Sequence, residues 1–223
     1  MHRITVIAAL CGLVLALGAS PGLASETIGS YTVESAPVSA QVIAVGGSLW
    51  GWINVTNSYV SVNDAFTGFS ILDDGYANPT GVTIEMTFAP GTLINTAGTD
   101  LVVFDGRLSV NSYAISTEYD SFATELALPS TVFVDTGVDR DYYYQHSPDP
   151  NATYHADIMA AVVDLSSLGV PDNTQVLKIR VRSTSSEVDL IGVGSLYVPE
   201  PFSVAGLVGL GTIAALLRRR RRK

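Results

Sequence analysis

Gly81-Val82-Thr83-Ile84-Glu85-Met86-Thr87-Phe88 sets apolar residues at 82, 84, 86 and 88 against polar ones at 83, 85 and 87. A pleated backbone sends successive side chains to opposite faces, so this period of two predicts a strand with one buried face and one wet face. An amphipathic helix would need apolar residues three and four apart instead. The same alternation returns at residues 176–182, where Leu177, Ile179 and Val181 interleave with Lys178, Arg180 and Arg182. Leu101-Val102-Val103-Phe104 is a continuous apolar run, as expected of a central strand covered on both sides.

Working outward, residues 31–34, 39–45, 49–55, 130–134, 158–163 and 188–198 carry further strand-like runs. Turn formers separate them: Asp74-Gly75, Asn78-Pro79, Pro90-Gly91, Pro148-Asp149-Pro150 and Pro171-Asp172-Asn173. No segment of the central region holds a helical stripe. Residues 118–128 are predicted as a short helix, 165–168 as a single turn, and 139–154 as a long surface loop with Tyr142, Tyr143 and Tyr144. Many short strands joined by turns predict a mainly β protein, an antiparallel β-sandwich of jelly-roll type over residues 25–197.

The two ends differ from this centre. After Met1-His2-Arg3 comes an apolar run over residues 4–17, then small residues up to Ala24. That is the layout of a secretory signal peptide over residues 1–24, cleaved by signal peptidase after Ala24. Cys11 lies inside this run, so the mature chain is predicted to have no cysteine and no disulfide. At the other end Val198-Pro199-Glu200-Pro201 precedes an uncharged apolar stretch over 202–217, followed by Arg218, Arg219, Arg220, Arg221, Arg222 and Lys223. As a helix that stretch reaches about 24 Å, short of the roughly 30 Å hydrocarbon core, and inserts with local thinning of the bilayer. Six terminal cations keep this end cytoplasmic. The expected topology is a single-pass inner-membrane precursor with its β domain outside.

This tripartite tail resembles the PEP-CTERM sorting signal of exported bacterial proteins, which joins a Pro-Glu-Pro motif, a short transmembrane helix and an arginine-rich end. The resemblance covers residues 198–223. It implies exosortase as the processing partner, cutting near Pro199 to Pro201, and cell-surface or extracellular release in association with exopolysaccharide and biofilm. Residues 98–106, 162–170 and 188–201 are also similar to exported β-sandwich proteins that carry such tails. That likeness implies a core strand at the first stretch and the last strand at the third. Two departures stand out: Asp105 follows the phenylalanine, and only Asp189 remains of a usual acidic pair. No activity follows from it.

All 21 acidic residues lie between Glu26 and Glu200, against five basic ones there: Arg107, Arg140, Lys178, Arg180 and Arg182. The exported region therefore carries −16, whereas the whole chain carries −9. Such acidity argues against nucleic acid as a partner and repels anionic polymers. The two histidines of this region, His146 near Asp149 and His155 near Asp157, form no recognisable catalytic constellation. A Gly-x-Ser-x-Gly elbow, a His-Glu-x-x-His helix and a phosphate loop are all missing. The expectation is a non-enzyme. No cofactor is called for; the one ion with candidate ligands is calcium, through Asp100, Asp105 and Asp189 near strand ends.

Two functions fit this reading. One is a structural or adhesive surface protein working with exopolysaccharide. The alternative is a carbohydrate-binding module of jelly-roll type, with Trp50 and Trp52, or Tyr142 to Tyr144, as stacking platforms. A hydrolase is a distant third.

Overall fold

The structure is a computed structural model. It describes residues 25–44, 50–51, 63, 66–67, 76–79, 81–107, 111–143, 153–185 and 187–196. The expected signal peptide (1–24), sorting motif (198–201), membrane helix (202–217) and basic tail (218–223) all fall outside the described residues.

Among the described residues there are thirteen strands: β1 (Glu26–Ile28), β2 (Tyr31–Val33), β3 (Ser39–Ala44), β4 (Trp50–Gly51), β5 (Tyr76–Pro79), β6 (Thr83–Thr87), β7 (Leu101–Arg107), β8 (Tyr113–Thr117), β9 (Leu126–Leu128), β10 (Val134–Tyr143), β11 (Thr153–Val163), β12 (Lys178–Ser183) and β13 (Glu187–Ser195). They form a six-stranded sheet in the order β10-β11-β7-β13-β5-β4, a five-stranded sheet in the order β3-β6-β12-β8-β9, and the separate hairpin β1-β2. Every pairing is antiparallel. Early strands meet late ones in nested order: β5 with β13, β6 with β12, β7 with β11.

The two sheets face each other across one apolar core. Leu101 and Val103 of β7, Met159, Ala161 and Val163 of β11, and Val193 of β13 enter it from one side. Ile84 and Met86 of β6, Ile115 of β8, and Ile179 and Val181 of β12 enter from the other. Phe66 plugs the same core, and the side chain of Asn63 accepts a hydrogen bond from the Ala40 amide of edge strand β3 at 3.2 Å.

The continuous run at 101–104 has a specific cause. Leu101 and Val103 face the inter-sheet core, while Val102 and Phe104 face the other way, into a second cluster with Ala156, Ile158, Ala160 and Ile191. The hairpin β1-β2 covers that outer face with Ile28 and Val33, joined by Ala36 just after it, all fully or nearly fully buried. Tyr31 packs edge-on to the Phe104 ring at 6.2 Å between centroids. A two-stranded hairpin is marginal alone, so this docking is what holds it; each large side chain buried is worth about 1.5–3 kcal/mol. Gly29 turns the hairpin with φ +60 and sits so close to Thr136 that a β-carbon would meet its carbonyl oxygen. Only glycine suits both demands.

Three sequence expectations are corrected. Residues 118–128 are a 3-10 turn (Glu118–Asp120) and the strand β9, not a helix. Residues 130–132 form another 3-10 turn before β10 begins. The segment 139–154 is not loop at its ends: β10 runs through Tyr143 and β11 starts at Thr153, paired residue for residue. The single turn at 165–168 is present as a 3-10 turn closed by Gly169.

Candidate functional site: a charged platform on the five-stranded sheet

The outer face of the five-stranded sheet gathers three of the five cations of residues 25–200 on one strand. β12 lies between β6 and β8. Ile179 and Val181 are buried inward, so Lys178, Arg180 and Arg182 emerge outward, each partly exposed. Register places Gln41 of β3 opposite Glu85 of β6, Glu85 opposite Arg180, and Arg180 opposite Ser116 of β8. These four residues make a polar row across four strands, about 14 Å long at the usual strand spacing.

Glu85 was expected to face water, and instead is only 6% exposed. Two cations cover it. Lys178 Nζ donates to Oε1 at 2.8 Å, and Arg180 donates to Oε2 through Nε at 3.0 Å and Nη2 at 2.9 Å. The Lys178 hydrogen bond and then Arg180 hold the Glu85 carboxyl below the ordinary glutamate range, against an opposing push from burial. Arg182 makes a second fork, with Nε and Nη2 donating to the two oxygens of Glu125. That bond keeps the Glu125 carboxyl low as well.

A strained turn completes the platform. Ser121 and Phe122 are consecutive non-glycine residues with φ of 61 and 64. The left-handed region costs an ordinary residue roughly 1–2 kcal/mol. The turn is held by hydrogen bonds from Ser121 N to the Glu118 carbonyl and from Phe122 N to the Thr117 carbonyl. The Asp120 carboxylate accepts from Ala123 N and Thr124 N, and Glu118 Oε1 accepts from Leu177 N at 2.6 Å. Its result is to lay the Phe122 ring against the Arg180 guanidinium, 3.6 Å from Cζ to the ring centroid. Tyr119, 49% exposed, stands on the same turn. Backbone strain held in place by its surroundings clusters at ligand-binding and active sites. Arg180 is fixed on an edge by Glu85 and on a face by Phe122; its Nη1 donates to no partner among the described residues.

Of the residues singled out from sequence, Asp105 and Asp189 come to adjoining positions of β7 and β13, where Asp105 pairs with Leu190, and the others are dispersed. Asp100 is fully buried at the start of β7; its Oδ1 accepts from Thr96 N and Thr96 Oγ1, and its Oδ2 from Leu165 N. Asp105 is buried five residues along the strand, about 16 Å away, and accepts from Asn111 Nδ2 and Tyr113 OH across the core. Asp189 lies opposite Ala77 in the β5-β13 ladder. Asp100 and Asp105 therefore do not converge, and no group of three or more His, Cys, Asp or Glu able to hold a metal occurs among the described residues. His155 meets Asp139 at 3.4 Å, both exposed, across the β10-β11 hairpin. His146, Asp149, Trp52 and Tyr144 lie outside the described residues. Trp50 is on edge strand β4, whereas Tyr142 and Tyr143 are on β10 at the opposite edge. Five strand spacings, roughly 24 Å, separate them, so they form no common platform.

The platform escaped the sequence reading, although a signal was there. Lys178, Arg180 and Arg182 alternate on one strand of a region with only two other cations. Its partners, Glu85 and Glu125, are far away in sequence, and the turn bearing Phe122 looked helical.

No protein-family model matches the chain, and no curated protein matches it. Among solved structures, it is similar to a xylan-binding module, CBM15, at 9% identity and a TM-score of 0.29, over 70% of this chain and 92% of that one. A likeness that slight carries no argument about fold or ligand. The β-sandwich rests on the strand ladders and the shared core. No helix among the described residues is long and apolar enough to cross a membrane.

Proposed function

We propose that this chain is an exported surface protein, delivered by its signal peptide and processed by exosortase, with a structural or adhesive role alongside exopolysaccharide. The observation that carries this reading is the tail, with Pro199-Glu200-Pro201, an uncharged stretch and six cations in order. The fold is compatible with it. β13 ends at Ser195, so the motif follows a folded body by only a few residues. The nested strand pairing supports the jelly-roll winding expected of the exported part. Proline fixes φ and offers no amide donor, which keeps the motif extended for a protease. Changing Glu200→Ala or Pro201→Ala is expected to block maturation in the native host, so that a larger membrane-bound form accumulates on immunoblots. Normal maturation of both variants would reduce the motif to a linker.

A second reading, a carbohydrate-binding module, is favoured by one specific observation. The polar outer face of the five-stranded sheet carries the exposed Tyr119 and the Phe122–Arg180 stack on its rim.

A further inference from the structure

We propose that the outer face of the five-stranded sheet binds a neutral pyranose polysaccharide, laid over Gln41, Lys178 and Arg180 with Tyr119 at its rim. This rests on the carbohydrate-binding reading above and gives it a site and a ligand class. The aromatic groups picked out from the sequence are not part of it.

Three observations lead there. The face is built of planar or multidentate polar side chains already fixed in place. Glu85 is held by two cations, Arg180 by Glu85 and Phe122, and Arg182 by Glu125. Rigid groups lose little freedom when they bind; the Gln41 amide offers sugar hydroxyls an acceptor and a donor, and the ammonium and guanidinium groups that cover Glu85 offer donors. Lys178, Arg180 and Arg182 remain 43%, 33% and 39% exposed, so their outward N–H groups are within reach of a ligand.

The second observation is charge. Three cations face four carboxylates on the platform, Glu85, Glu125, Glu118 and Asp120, a net of −1, while the region as a whole carries −16. A polyanion is repelled by the surrounding field, and a polycation finds an excess of only a single negative charge on the platform itself. An uncharged, hydroxyl-rich chain fits the balance. The third is geometry. This is a sheet face and not a sheet edge, so it has no free backbone ladder for a peptide strand. Gln41 is exposed on edge strand β3 at one side of the face, and an exposed phenol ring on the turn after β8 can lie against the C–H face of a sugar.

The test is affinity electrophoresis of the full chain in mild detergent through gels containing hydroxyethylcellulose, a mannan, dextran or polygalacturonate. At least one neutral polymer is expected to retard the protein, and polygalacturonate is not. The triple variant Gln41→Ala, Tyr119→Ala, Lys178→Gln alters only exposed or half-exposed side chains and leaves the Arg180–Glu85 fork. It is expected to weaken retardation at least tenfold in gels run well below the melting midpoints of both proteins, the variant's being lowered by loss of the Lys178–Glu85 bond. Asp157→Asn, on the other sheet, is expected to leave retardation alone. The proposal is overturned if no neutral polymer retards the chain, if polygalacturonate retards it more than any of them, or if the triple variant runs like its parent. None of these outcomes depends on exosortase, so the sorting reading stands or falls separately by the maturation experiment.

Discussion

Gly194 of β13 lies directly beneath Val33 of β2: a β-carbon on Gly194 would stand 2.4 Å from Val33 Cγ1 and 2.9 Å from Cγ2. The hairpin seats on the sheet only because this position has no side chain. Next to it, Glu34 N donates to the Ser195 carbonyl at 2.9 Å and Ser195 N to the Ser35 carbonyl at 2.8 Å.

Gly194→Ala is therefore expected to destabilise the protein by about 1–3 kcal/mol through overpacking. Val33 is short and stiff, and cannot swing aside. Adding Val33→Ala makes room, so the double variant is expected to be more stable than the sum of the two single losses predicts. Thermal melts of the four proteins check this; strict additivity would mean that the two residues do not press on each other.

Asp100 ties the start of β7 to two loops through three donors. Asp100→Asn places an amide NH2 against at least one N–H, and is expected to cost about 1–3 kcal/mol, the usual loss when a buried polar group goes unmatched. Because the donors are protein groups, the loss is expected to be equal in calcium and in chelator. A variant that is destabilised only in calcium would show that the carboxylate serves the ion instead.

Glu85 gives the acid limb of stability a specific contributor. Its folded-state pKa lies below the ordinary value of 4.5, so below that pH the unfolded chain binds more protons than the folded one. The stabilisation is complete above about pH 4.5 and is lost as pH falls through the lower folded value. Glu85→Gln is expected to flatten the decline of the melting midpoint below pH 4.5 and to leave its slope between pH 6 and 8 unchanged. An unaltered acid limb would show that Lys178 and Arg180 do not hold the carboxylate in solution.

The left-handed pair at 121–122 separates strain from stacking. Ser121→Gly removes the side-chain penalty at an exposed position and is expected to stabilise by up to about 1 kcal/mol. Phe122→Gly relieves the same backbone strain but removes the ring from Arg180, and is expected to stabilise less or to destabilise. Equal gains in chemical denaturation would mean that the ring contributes nothing.

The parts of the fold legible in sequence are those where one residue's fate depends on its own pleat. β6, β7 and β12 announce themselves by alternation or by an apolar run, and the register of Ile179 with Met86 and of Val181 with Ile84 follows from it. β8 was missed because Ala114, Ser116 and Thr117 are small or polar and yet buried; the long side chain of Arg180 lies opposite Ser116 on the neighbouring strand. The acidic stretch at 139–141 reads as loop by composition, but pairing with residues 155–157 supplies its ladder. Glu85 looked wet for the same reason. Its two cations stand more than 90 positions away, and no local pattern encodes a partner at that distance.

The docked hairpin also dictates an order of events. β1 and β2 are the first strands of the domain to leave the ribosome, and their seat includes Ile191 and Gly194 of the last strand. Ile28 and Val33 must therefore wait, without a complete apolar surface to rest on, until almost the whole domain has been synthesised. Contacts that span a chain from end to end form slowly, because loop closure comes before any gain. The final locking step joins the oldest segment to the newest. Until then the outer face of β7 and β11 is bare, which makes that face the place where an incomplete chain is most exposed to misassociation with its neighbours.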